Sequence, residues 1–135
     1  MQDASLMTRL DGDGLRAMFS AGARVLETNV NALNSLNVFP VPDGDTGTNM
    51  LLTLRAIVKE TSDIPGSTIS DVANAASHGA LLGARGNSGV IFSQFVRGLA
   101  STLDGHDVAD ASLLAQAFTD GATATYRAVS NPVEG

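Results

Sequence analysis

The chain has no cysteine and no tryptophan, and aromatic residues are only 4 % of it. Without cysteine there can be no disulfide, thiolate metal site or thiol catalysis, and a reducing cytoplasm is the expected location. With so few aromatic rings, a stacking platform for bases or sugars is not expected. Positive charge is also scarce: eight Lys and Arg stand against fourteen Asp and Glu, a net charge of −6. No basic stripe exists to meet a nucleic acid or an anionic membrane surface, so neither is an expected partner. There is no apolar run of about 18 residues, so no transmembrane segment is expected. Residues 1–14 are polar and do not resemble a signal peptide.

What remains is a 135-residue chain with 44 % hydrophobic residues, enough for one globular core. Its periodicity is helical. After Asp11 and Asp13, either of which can be an N-cap, Leu15, Met18, Phe19, Val25, Leu26, Leu33 and Leu36 follow the three-four spacing of an amphipathic helix ending near Asn37. A second helix is predicted from Gly47 or Thr48 to about Thr61. A third runs from Asp71 to about Leu82, with Ser70 as its cap. A fourth runs from about Asn87 to Leu103, with Val90, Ile91, Phe95 and Leu99 on one face. The fifth spans about Ala111 to Val129. Pro65-Gly66 and Asp104-Gly105-His106-Asp107 mark connections. No segment alternates as a strand does, so the expected class is all-α, with short connections as in a bundle. Residues 1–10 read as a flexible lead-in. Five helices ending in the loop Asn131-Pro132-Val133-Glu134-Gly135 predict that residues 11–135 are part of a longer domain.

The most informative segment is Pro40-Val41-Pro42-Asp43-Gly44-Asp45-Thr46-Gly47-Thr48-Asn49. The prolines oppose a helix before it, and the glycines admit a tight turn. On a strand Asp43 and Asp45 would point to opposite faces; around Gly44 they can converge. Converging carboxylates repel, and a hard divalent cation such as Mg²⁺ offsets that charge, with phosphate oxygens and water completing its shell. A plain surface turn is the competing reading, because Pro-Asp-Gly is common turn chemistry. An EF-hand loop counted from Asp43 fails, since Leu54 occupies its twelfth position. The aspartic-protease triplet belongs to β-structure, and the order of aspartates does not match the haloacid-dehalogenase phosphatases. Thr46, Gly47, Thr48 and Asn49 open the second helix, where they can cap it or hold phosphate oxygens.

A second constellation, Gly83-Ala84-Arg85-Gly86-Asn87-Ser88-Gly89, precedes the fourth helix. Its glycines let backbone amides approach an anion, and a helix N-terminus offers unpaired N–H groups. Asn87 and Ser88 can donate to phosphate, and Arg85 can meet it. The Lys-Ser/Thr pair of a Walker A loop is missing, and a simple helix–helix turn is the competing reading. Asn31, Asn34 and Asn37 recur every three residues at the end of the first helix, as a polar edge toward the aspartate turn or as ordinary exposed residues. His78 and His106 lack a metal-ligand spacing.

Taken together, the stretch from Asn37 to Met50 and the later Gly83 to Ile91 resemble the nucleotide-binding domain of the dihydroxyacetone kinase L-subunit (DhaL/DAK2) superfamily. The closer likeness is to the N-terminal domain of the bacterial fatty acid kinase catalytic subunit. The resemblance extends from about Leu15 to Gly135. It implies an antiparallel amphipathic helix barrel of eight helices, of which about five are present here. ATP would lie at one end, with two Mg²⁺ ions bridging its phosphates to Asp43 and Asp45. Thr46, Gly47, Thr48 and Asn49 would fall beside the phosphates, and Gly86, Asn87, Ser88 and Gly89, with Arg85, would form the loop that holds them. A separate DegV-like fatty-acid-binding protein would present an acyl carboxylate for phosphorylation. Dihydroxyacetone kinases carry a further aspartate where this chain has Val38. That departure favours the fatty acid kinase branch over a dihydroxyacetone (glycerone) kinase, and makes Asn37 a substitute oxygen ligand. A nucleotide-binding regulatory module without turnover is the alternative of another class. The oligomeric state is left open, a homodimer included.

Overall fold

The computed structural model describes residues 9–37, 43–64 and 68–129. Five helices dominate: α1 (Gly12–Ser35), α2 (Thr46–Ser62), α3 (Ile69–Gly83), α4 (Gly86–Leu103) and α5 (Ala111–Ala128). The all-α expectation holds. Two short strands add to it: β1 (Arg9–Leu10) pairs antiparallel with β2 (Ala109–Asp110), Arg9 opposite Asp110 and Leu10 opposite Ala109. At two residues each, they are too short to show alternation in sequence. Of the lead-in expected over residues 1–10, Arg9 and Leu10 are therefore tied to the α4–α5 connection, and residues 1–8 lie outside the described residues. So do Val38, Pro40, Pro42 and the loop 131–135.

Local chemistry sets the helix starts. Asp11 caps α1 by accepting from the Gly14 amide at 2.8 Å. Asp110 caps α5 through the Leu113 amide at 2.8 Å. At α3 the cap is Thr68, which accepts from the Asp71 amide at 3.1 Å, and not Ser70 as predicted. Ser70 already lies inside the helix, and its hydroxyl accepts from the Gly105 amide at 2.9 Å, holding the α4–α5 turn.

Consecutive helices pack antiparallel. Arg16 reaches the Thr61 carbonyl at one end of the α1–α2 pair, and Asn34 meets Thr48 at the other. The core has two parts. Leu15, Ile69, Val72, Leu99, Leu103 and Ala109 fill the end near the strands. Leu54, Ile57, Ala76, Ala80 and Val96 fill the middle of α2, α3 and α4. Each fully buried Ile, Leu or Val contributes roughly 1.5–3 kcal/mol by leaving water. Small alanines at the α3 positions let the helices approach closely enough to exclude it.

The predicted apolar stripes are only partly used. On α1 Leu15 is buried, whereas Met18, Val25 and Leu36 are exposed. The reason is geometric: α1 packs mainly on α2 and α3, so a stripe wider than their shared groove spills onto the surface. On α4 the buried face runs through Gly89, Ser93, Val96, Leu99, Ala100 and Leu103, and Val90 and Ile91 point outward. No helix among the described residues is long and apolar enough to cross a membrane.

Candidate functional site

The aspartate turn and the glycine loop meet at one end of the bundle. α2 and α4 both begin there, because α3 lies between them in the chain and reverses direction. The Ser88 hydroxyl reaches the Thr46 carbonyl at 3.4 Å, linking positions 42 residues apart. Gly86 adopts a left-handed φ of 67° and sits directly against the Asn49 side chain, leaving no room for a Cβ.

Gly44, with φ of 68°, turns the chain so that Asp43 and Asp45 come into side-chain hydrogen-bond range of each other. That contact pushes the Asp43 carboxyl above its ordinary range, aided by partial desolvation and by the Asp45 charge. An exposed pair of carboxylates held this close is a site where a cation can offset their mutual repulsion. No cluster of three or more His, Cys, Asp or Glu side chains suited to a metal exists among the described residues. Two carboxylates cannot form an all-protein cage. They do fit a hard cation such as Mg²⁺, which is held by one or two carboxylates and completes its shell with phosphate oxygens and water.

α1 supplies the support for this turn. Asn37 Oδ1 accepts from the amides of Asp45 at 3.1 Å and Thr46 at 3.2 Å. Asn34 Oδ1 accepts from the Thr48 amide at 3.1 Å, and Asn34 Nδ2 donates to Thr48 Oγ1 at 3.0 Å. The first amides of α2 are therefore largely capped by two asparagines of the preceding helix, and Asp45 makes no side-chain cap of its own. Thr46 and Thr48 stand beside the aspartates, but their backbone amides face α1. The Thr48 hydroxyl is likewise engaged by Asn34 on α1, and it is the Asn49 side chain that lies against the glycine loop, at Gly86. Asn37, expected as an oxygen ligand, has its oxygen turned to the backbone of the aspartate turn. Asn31 makes no such contact among the described residues.

α4 starts differently. Its N-cap residue, Arg85, makes no side-chain cap, and the amides of Gly86, Asn87 and Ser88 have no acceptor among the described residues. The Arg85 side chain is exposed and forms no ion pair among the described residues. Three open amides at a helix N-terminus, next to a free guanidinium, form an anion-binding arrangement. Through the Ser88–Thr46 contact this helix start adjoins the residue that follows Asp45 in the chain.

The sequence did not point to Thr53. It is completely buried; its hydroxyl donates to the Asn49 carbonyl at 2.8 Å and accepts from the Arg85 amide at 3.1 Å. Gly89 packs directly on that hydroxyl. A threonine at a core position of α2 gives no signal of this kind, because its partner is distant in sequence.

The family model described as the DAK2 domain matches residues 40–135. An uncharacterized protein of Staphylococcus aureus strain USA300 is 41 % identical over 130 residues, covering 96 % of this chain and 24 % of that protein. Uncharacterized proteins of strains N315 and MRSA252 match to the same extent. The chain thus spans about a quarter of the length of the curated relatives it matches. The match covers both the aspartate turn and the glycine loop, the two segments that converge in space, and the chain belongs to the DAK2-domain family.

Proposed function

We propose that this chain is the ATP- and Mg²⁺-binding domain of a phosphotransferase whose acceptor is a fatty acid carboxylate presented by a DegV-like carrier protein. DAK2 domains belong to kinase systems, which supports the phosphotransferase class. The observation that carries the reading is the convergence of the Asp43–Asp45 pair with the open amides of Gly86, Asn87 and Ser88. A cation-binding group and an anion-binding group side by side suit a metal-bound polyphosphate and neither ion alone.

Asp43 and Asp45 would hold Mg²⁺, and the metal would neutralise charge on the phosphates. The α4 amides, with Asn87, Ser88 and the Arg85 guanidinium, would orient the phosphate chain. Thr46, Gly47, Thr48 and Asn49, which open α2 beside the aspartate turn, would flank the phosphates, with the Thr48 hydroxyl held by Asn34. The acceptor oxygen attacks the γ-phosphorus, the bond to the β-phosphate oxygen breaks, and an acyl phosphate and ADP result. Catalysis of this kind is mainly positioning and electrostatic stabilisation, so no general base of perturbed pKa is required of the chain. Val38, at the position of the additional aspartate of dihydroxyacetone kinases, supports the acid-kinase branch. A cytoplasmic setting, where ATP is abundant, goes with this reading.

Calorimetric titration of the full-length protein with ATP and Mg²⁺ tests the site. Asp43→Asn combined with Asp45→Asn should abolish Mg²⁺-dependent binding; unchanged nucleotide affinity would remove the metal assignment. Phosphoryl transfer should appear with a fatty-acid-loaded carrier. Transfer to dihydroxyacetone alone would move the protein to the glycerone kinase branch. Binding without transfer to either acceptor would make it a regulatory nucleotide-binding module.

A further inference from the structure

We infer that Thr53 is a positioning residue for the nucleotide, fixing the loop of residues 83–89 against the start of α2; this rests on the MgATP reading above. Many threonines in this chain bond back to a carbonyl one turn earlier, as Thr28 does to Arg24 and Thr119 to Ala115, which is ordinary helix behaviour. Thr53 makes that bond to Asn49 and also accepts from the Arg85 amide, 32 residues away. A single buried oxygen thus joins two backbone segments.

Both segments carry candidate phosphate contacts. The Asn49 carbonyl belongs to the first turn of α2, which follows the aspartate turn directly. Arg85 is the N-cap residue of α4, and the direction of its peptide sets the orientation of the Gly86, Asn87 and Ser88 amides. The joint has little slack. A Cβ on Gly89 would overlap Thr53 Oγ1 and would lie 3.6 Å from the Asn49 carbonyl oxygen. Gly86, on the other side, is pressed against the Asn49 side chain. Removing the Thr53 hydroxyl leaves the Arg85 amide without its acceptor in a partly buried place, and the peptide must rotate to find another. The aspartate pair is untouched by that change, so metal chemistry stays while phosphate orientation suffers.

The test uses Thr53→Val, which removes the hydroxyl at nearly constant shape, and Thr53→Ser, which restores it, both in the full-length protein. Without nucleotide, hydrogen exchange at the Arg85 amide should be faster in Thr53→Val and slow in Thr53→Ser. MgATP affinity should fall about tenfold in Thr53→Val, the effect of one lost hydrogen bond, and return to within about threefold in Thr53→Ser. The loss should appear in KM for ATP more than in kcat. Should Thr53→Val not fold, Thr53→Ala reads the same loss without a second methyl beside Gly89. Wild-type protein that binds no MgATP overturns the kinase reading and this inference together. Wild-type binding that the hydroxyl-free variants match, or that Thr53→Ser fails to restore, overturns the role of Thr53 alone.

Discussion

Asn34 and Thr48 hold each other by two hydrogen bonds, one from the Thr48 amide to the Asn34 oxygen and one from the Asn34 amide group to the Thr48 hydroxyl. Through them the last turn of α1 fixes the first turn of α2. Gly47 makes the approach possible: a Cβ there would stand 2.8 Å from the Val30 carbonyl oxygen. Asn34→Ala should destabilise the protein by about 1–2 kcal/mol, the net worth of two partly exposed bonds. Urea unfolding checks this through a lower midpoint at unchanged slope. A midpoint equal to wild type would mean that water replaces both bonds at no cost.

Gly86 and Gly105 form a matched pair of left-handed residues, with φ of 67° and 84°. Nothing lies within 4 Å of a Cβ placed on Gly105, whereas one on Gly86 would collide with the Asn49 amide. Gly105→Ala should therefore cost only backbone strain, about 1–2 kcal/mol, and leave nucleotide binding unchanged. Gly86→Ala should cost more and also weaken MgATP binding. Thermal unfolding and ATP titration of the two variants separate strain from the collision. Equal effects on binding would show that Gly86 serves conformation alone.

Asp43 holds its proton to higher pH in the folded protein than in the unfolded chain, chiefly through its hydrogen bond to Asp45. Between the ordinary aspartate value, about 4, and the raised folded value, the native state binds the extra proton. Stability should therefore fall as pH rises through that window and level off above it. Mg²⁺ favours the ionised pair and should suppress this fall. Denaturation midpoints from pH 3 to 7, in chelator and in Mg²⁺, measure both slopes, and Asp45→Asn should flatten the chelator curve. The shift is confined to an exposed turn, so the change is small.

Asp120 shows the opposite sign. Hydrogen bonds from Thr102 and then Gln116 hold its carboxyl below the ordinary range. Its contribution should be fully present above the unfolded aspartate value and be lost as pH falls through the depressed folded value. The Thr102–Asp120 contact joins α4 to α5, so Asp120→Asn or Thr102→Val should blunt acid destabilisation at that seam. Acid titration followed by circular dichroism compares the variants; curves parallel to wild type would contradict the assignment.

Much of the fold was legible in the sequence. Five helices stand where the three-four spacing placed them, with ends shifted by about one to two residues, because periodicity is a local property of the chain. The cap of α3 was misplaced by two residues, since Thr68 and Ser70 are equally good cap chemistry and only the α4–α5 turn decides which is free. The exposed Met18, Val25 and Leu36 could not be told from core residues, because a stripe records apolar character and not the width of the neighbouring groove. At the site, the aspartate turn and the glycine loop were visible as separate motifs. The asparagine repeat was visible too, but its work was not: Asn34 and Asn37 cap the next helix across a chain reversal, and nothing in their spacing names that partner.

By itself the sequence determined the local chemistry: an Asp-Gly-Asp turn in which Gly44 admits a left-handed backbone, the five helical segments, and a glycine-rich start to the fourth helix. These follow from dihedral limits and side-chain reach within a few residues. Only the tertiary structure decided that the turn and the loop form one site. That required α2 and α4 to run the same way with α3 returning between them, Gly47, Gly86 and Gly89 to let backbones touch, and a buried Thr53 to bond to both sides. Each of these joins residues far apart in the chain, where the energy resides in packing and not in any local preference.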